Sequence, residues 1–149
     1  MAGFPDRSRP PGAGPSGARS PDTRAPDAPG HLPQQVPIEG YGGGFFHFAG
    51  MASSGSILAL PSGIHEWAAR LPVDITEAAL AQVFADARRL ELVLIGTGPD
   101  PWPIPEALRW RFRDAGVRVD AMPTRSAAAT YNVLLAEGRA VGAALLALA

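Results

Sequence analysis

The chain has 149 residues, 46% of them hydrophobic, and a formal net charge of −1, which suits one ordinary globular domain and sets up no field toward nucleic acid or an anionic membrane. It contains no cysteine, and all 13 basic residues are arginine, which excludes disulfides, thiolate and Schiff-base chemistry, and the lysine of phosphate-binding loops. No apolar run approaches the roughly 18 residues a membrane span needs.

Residues 1–35 carry 8 Pro, 5 Gly and 3 Ser, and Met1, Phe4 and Leu32 are their only large apolar residues. Such a segment buries too little surface to offset the entropy of ordering it, so a disordered tail is expected here. It has no apolar stretch of the secretory type. Asp6, Asp22, Asp27 and the prolines fit a mitochondrial presequence poorly. Residues 36–149 are expected to form a single α/β domain.

Strands should come first. Phe45, Phe46 and Phe48 follow Tyr41-Gly42-Gly43-Gly44. Ser56-Ile57-Leu58-Ala59-Leu60 is an apolar run closed by the turn signal Pro61-Ser62-Gly63. Ile64-His65-Glu66-Trp67 alternates as a half-buried strand does. Their closeness predicts hairpins or a meander. Gly50-Met51-Ala52-Ser53-Ser54-Gly55-Ser56 has phosphate-loop glycine spacing but no lysine, and it precedes a strand. It reads as a hairpin connection.

A helix is then expected, capped by Asp74 or Thr76, with Leu80, Val83, Phe84 and Ala87 on one face and Arg88 and Arg89 in its last turn. Leu92-Val93-Leu94-Ile95 is apolar throughout and reads as a central strand. Pro105 suits the first position of a second helix, Leu108, Phe112 and Ala115 its inner stripe, and Gly116 its end. Val117-Arg118-Val119-Asp120 alternates again. Residues 91–121 thus have the length of one βαβ unit, which makes its two strands parallel. A third helix should start near Thr124 or Ser126, turn Ala128, Tyr131, Leu134 and Leu135 inward and stop at Gly138. Residues 141–148 read as a last strand.

Parallel strands place the turns after 95 and 121 on one edge of the sheet, the carboxyl edge, where open α/β sheets bind ligands. Gly96, Thr97 and Gly98 would there face Thr124, Arg125 and Ser126, a group with hydroxyls, a guanidinium and free helical N–H groups that suits an anion. Against this, Pro99-Asp100-Pro101-Trp102-Pro103 delays the helix, so the dinucleotide fingerprint is incomplete. Gly96 and Gly98 then permit a turn or a close backbone approach, Thr124 and Ser126 cap a helix, and Arg125 is a solvated surface residue. His47 and His65 lack further ligands at metal spacing. Asp100 and Asp120 are the only acidic residues near that edge, too little for acid–base catalysis. Tyr131 reads as core, with its hydroxyl satisfied at the rim.

Four segments recur in a characteristic order and spacing: Tyr41 to Phe48, Leu60-Pro61-Ser62-Gly63-Ile64, Leu94-Ile95-Gly96-Thr97-Gly98, and Thr130-Tyr131-Asn132 through Arg139. With this set the chain resembles a family of small uncharacterised bacterial and archaeal proteins whose domain is similar to that of mitochondrial NADH:ubiquinone oxidoreductase complex assembly factor 3. The resemblance covers roughly residues 36–148. It implies a three-layer α/β domain: a mixed central sheet, flanking helices and an additional β layer built from the N-terminal strands. It implies no catalytic residue and no cofactor, and a non-enzymatic role in assembling a respiratory membrane complex through protein partners. It adds Asn132 to the candidate site. Where the family often has an arginine before Thr-Tyr-Asn, this chain has Ala129, which weakens any site that needs that charge. The expected location is the cytoplasm, or the mitochondrial matrix for a eukaryotic chain. The alternative reading is a protein or enzyme that binds an anionic metabolite at the carboxyl edge.

Overall fold

The computed structural model describes residues 32–149; of the expected tail, residues 1–31 lie outside them. Strands β1 (Gly40–Gly42), β2 (Phe45–Phe48) and β3 (Met51–Ser54) form an antiparallel three-stranded sheet. Strands β4 (Ser56–Leu60), β5 (Gly63–Trp67), β6 (Leu92–Gly96), β7 (Arg118–Met122) and β8 (Val141–Leu145) form a second sheet in the order β5-β4-β8-β6-β7. Helices α1 (Ala81–Ala85), α2 (Glu106–Asp114) and α3 (Thr124–Ala136) complete the fold.

The five-stranded sheet is mixed: β6 runs parallel to both β7 and β8, and β4 runs antiparallel to β5 and β8. Side chains alternate across it. Leu58, Leu60, Val93, Ile95 and Ala144 pack with Leu80, Val83, Leu108 and Phe112 of α1 and α2. Ile57, Ala59, Leu94, Ala143 and Leu145 pack with Ala127, Ala128 and Tyr131 of α3 and with Phe46 and Phe48 of β2. The second face is therefore shared by α3 and the N-terminal sheet, which makes the third layer. In β2 only Phe46 and Phe48 are buried, while Phe45 and His47 face out. Each buried phenylalanine contributes roughly 1.5–3 kcal/mol.

Several local expectations are corrected. Met51–Ser54 is a strand rather than part of a connection, because the turn is confined to Ala49 and Gly50, both at positive φ (50° and 75°); that is the backbone of a two-residue hairpin whose twist matches its strands. The helix expected from residue 74 is broken into the 3-10 turns Pro72–Asp74, Ala78–Leu80 and Ala87–Arg89 around the five-residue α1. The Trp67 indole donates to the Ala79 carbonyl (2.8 Å). Thr76 accepts the Ala79 N–H (3.1 Å). Asp74 instead accepts the N–H groups of Leu71 and Arg70, which hold its carboxyl below the usual range. Pro105 and Pro123 occupy the N-cap positions of α2 and α3, so Pro105 stands one residue ahead of its expected place.

Order begins before residue 36. Leu32 exchanges two backbone hydrogen bonds with Ile64 (2.9 and 2.8 Å) along the outer edge of β5. A Cβ on Gly63 would lie 2.0 Å from the Leu32 carbonyl oxygen, so glycine is required there to admit the segment. Gln35 Nε2 donates to the Val141 carbonyl (2.7 Å). These long-range bonds are invisible to composition, which is why residues 32–35 read as tail.

Candidate functional site

The carboxyl ends of β6 and β7 lie side by side, and the loops leaving them interlock. Thr97 N–H donates to Met122 O (2.9 Å), Thr124 N–H donates to Gly98 O (2.9 Å) and Leu146 N–H donates to Gly96 O (3.0 Å). The Thr124 hydroxyl accepts the Gly98 N–H (2.9 Å) and donates to Leu146 O (2.9 Å). The Thr97 hydroxyl donates to Asp100 O (2.7 Å), with Met122 O at 3.2 Å. Thr97 and Thr124 are both buried. The N–H groups of Thr97, Gly98 and Thr124, which an anion would need, are thus spent on the protein itself.

The two glycines of the turn serve different ends. Gly98 has φ +96° with open space around it, so it supplies a conformation that L side chains rarely adopt. Gly96 continues the strand, but a Cβ there would stand 2.9 Å from Thr124 Cα, Thr124 Oγ1 and Leu145 Cδ2. It is glycine because the start of α3 rests on it.

Gly96, Thr97, Gly98 and Thr124 therefore form one hydrogen-bonded knot. Thr124 is the first helical residue, not the cap, and the capping expected of Thr124 and Ser126 is corrected: the Thr124 hydroxyl reaches to the turn, and Ser126 is exposed. Arg125 lies on the rim. Its guanidinium sits 5.6 Å from the centre of the Tyr41 ring, a contact that offsets the unfavourable placing of a cation at a helix start. A depression of about 240 Å³ opens beside it, lined by Gly98, Pro99, Arg125, Leu148 and Ala149.

Asn132 lies elsewhere, eight residues and about 12 Å along α3. Its side chain grips one residue of the entering chain: Oδ1 accepts the Ile38 N–H (2.8 Å) and Nδ2 donates to the Ile38 carbonyl (2.8 Å). The neighbouring Tyr131 hydroxyl donates to Val36 O (2.7 Å), and burial raises its pKa against the opposing Gln35 side chain. The Thr-Tyr-Asn segment is thus a clamp that holds residues 36–38 over α3.

His65 is buried with Nε2 2.9 Å from Ser62 Oγ, and His47 is exposed on β2; among the described residues no three His, Asp or Glu gather as a metal site. Trp102 and Trp110 are 40% and 53% exposed, and neither stands out by hydrophobic periodicity. For Trp102 the available signal was an aromatic between two prolines in the loop that leaves β6.

A domain with a parallel β6–β7 pair, a mixed central sheet and a separate N-terminal β layer has known relatives. Residues 38–146 match the family described as a protein of unknown function, DUF498/DUF598, and the chain belongs to it. An uncharacterized protein of Rhodobacter capsulatus is 43% identical over 82% of this chain and 92% of its own length. NADH dehydrogenase [ubiquinone] 1 alpha subcomplex assembly factor 3 of Mus musculus is 32% identical over 77% of this chain. The matched region spans only 62% of that mouse protein. A crystal structure of a protein from Bartonella henselae, described as an outer membrane protein, superimposes with a TM-score of 0.77 at 41% identity, covering 80% of this chain and all of that one. No helix among the described residues is long and apolar enough to cross a membrane.

Proposed function

We propose that this chain is a non-enzymatic protein-interaction module that aids assembly or biogenesis of a respiratory, complex I-like membrane complex. The similarity to the mouse assembly factor carries this reading. Geometry supports it: the polar groups at the carboxyl edge bond one another, while Trp102, Arg125 and Ser126 remain exposed around them. Tryptophan and arginine supply a large share of binding energy at protein interfaces. We place the contact surface on that rim and the protein in the cytoplasm, with respiratory-complex or membrane-insertion subunits as partners.

The test is affinity purification of the tagged full chain from its own source under native detergent, with the recovered proteins identified. Respiratory-complex or membrane-biogenesis subunits are expected, and recovery should fall at least tenfold for Trp102→Ala with Arg125→Glu at unchanged Tm. Recovery of neither class, or no effect of the double substitution, overturns the proposal.

A further inference from the structure

The five-stranded sheet has two edges. Leu32 pairs with Ile64 on the β5 edge, whereas among the described residues β7 pairs only with β6. Arg118 N–H donates to Glu91 O and Met122 O accepts from Thr97. By the two-residue period of a strand, Arg118, Asp120 and Met122 direct their peptide groups to β6, and Val119 and Ala121 direct theirs outward. Those outward groups have no partner among the described residues. Beside them a cleft of about 400 Å³ lies between the strand and α2, lined by Arg109, Arg113, Gly116, Val117, Arg118 and Val119.

We propose that β7 pairs antiparallel with β7 of a second copy of this chain about a two-fold axis through Val119, joining two five-stranded sheets into one. The order of charges selects this occupant and this register. With Val119 opposite its own copy, the two residues exchange both backbone hydrogen bonds. Arg118 then falls opposite Asp120 of the second copy, and Asp120 opposite Arg118. Both side chains are exposed on the same sheet face. Moving the axis by one residue, to Asp120, slips the strands by two and puts Asp120 against Asp120, which is unfavourable.

The helix layer obeys the same symmetry. With strands ~4.8 Å apart, a helix over β6 and β7 would lie about 10 Å from its two-fold copy, a normal packing distance. Glu106, Arg109 and Arg113 stand at i, i+3 and i+7 on one flank of α2, and two of them line the cleft beside the β7 edge. An antiparallel copy reverses the order of this flank, so the Glu106 end of one helix runs toward the Arg113 end of the other. A foreign acidic strand would suit the arginines but would meet Asp120.

Sedimentation velocity on the full chain from micromolar to millimolar concentration, with hydrogen exchange at the Val119 and Ala121 amides, tests this. A reversible dimer is expected, with protection of both amides rising as it forms. Arg118→Asp and Asp120→Arg should each weaken dimerisation by about tenfold or more, because each sets two like-charge pairs across the seam. The double swap should restore it. A monomer at every concentration overturns the proposal, as does a dimer insensitive to the single swaps. Protection of the two amides in a monomer would mean that another segment covers the edge, and equally overturns it.

Discussion

Alanine at Gly96 would bring a methyl carbon to 2.9 Å from Thr124 Cα, Thr124 Oγ1 and Leu145 Cδ2. Non-bonded carbons settle at about 3.5–4.0 Å, so the first residue of α3 must retreat by several tenths of an ångström or more. It cannot do so freely. Thr124 is tied to Gly98 by two hydrogen bonds and to Leu146 by a third. Overpacking of this kind costs about 1–3 kcal/mol, and weakening one or two buried hydrogen bonds adds about 1 kcal/mol each. The expected total for Gly96→Ala is about 2–4 kcal/mol, a fall in Tm on the order of 10–15 °C for a domain of this size. Gly98→Ala is the comparison, since a Cβ there meets nothing within 4 Å and only backbone strain of about 1–2 kcal/mol applies. Urea unfolding and thermal melts of both variants read the difference. If Gly96→Ala costs under about 0.5 kcal/mol, or less than Gly98→Ala, close approach is not the reason for this glycine.

Thr124→Ser keeps the hydroxyl and should cost under about 1 kcal/mol, whereas Thr124→Val leaves the Gly98 N–H and the Leu146 carbonyl unpaired and should cost about 2–4 kcal/mol in urea unfolding. Asn132→Asp replaces the amide that donates to the Ile38 carbonyl with an acceptor; a loss of about 1–3 kcal/mol is expected, with faster hydrogen exchange at the Ile38 amide. Burial raises the pKa of Tyr131 in the folded state. Its contribution is fully present below the ordinary tyrosine value near 10. Above that the unfolded chain ionises first, so stability falls with a slope approaching 1.4 kcal/mol per pH unit until the folded value is reached. Denaturant titrations from pH 9 upward should show that slope in the wild type and lose it in Tyr131→Phe; equal slopes would refute it.

Much of the architecture was legible because it is written in local patterns. The apolar run at Leu92 to Ile95 needs both faces covered, and β6 does lie between β8 and β7 with α2 on one side and α3 on the other. The length of residues 91–121 admits only a crossover connection, hence the parallel pair. Where local pattern and tertiary demand conflict, the reading failed. Leu80, Val83, Phe84 and Ala87 have helical spacing, but the stretch folds as short 3-10 turns around a five-residue helix, with the Trp67 indole on the Ala79 carbonyl. Thr124 has the chemistry of a cap, but packing turns its hydroxyl onto residues 26 and 22 positions away.

The candidate site divides along the same line. By itself the sequence put Gly96, Thr97 and Gly98 on the same edge as Thr124, Arg125 and Ser126, because chain direction and crossover length suffice for that. Only the tertiary structure decided that four of these six lock together while Arg125 and Ser126 stay on the surface. It also decided that Asn132 clamps Ile38, 94 residues distant. Hydrogen bonds between remote segments depend on ångström-scale placement that no periodicity encodes. A short run of glycine and threonine reads the same whether its amide groups are offered to a ligand or already taken by the chain.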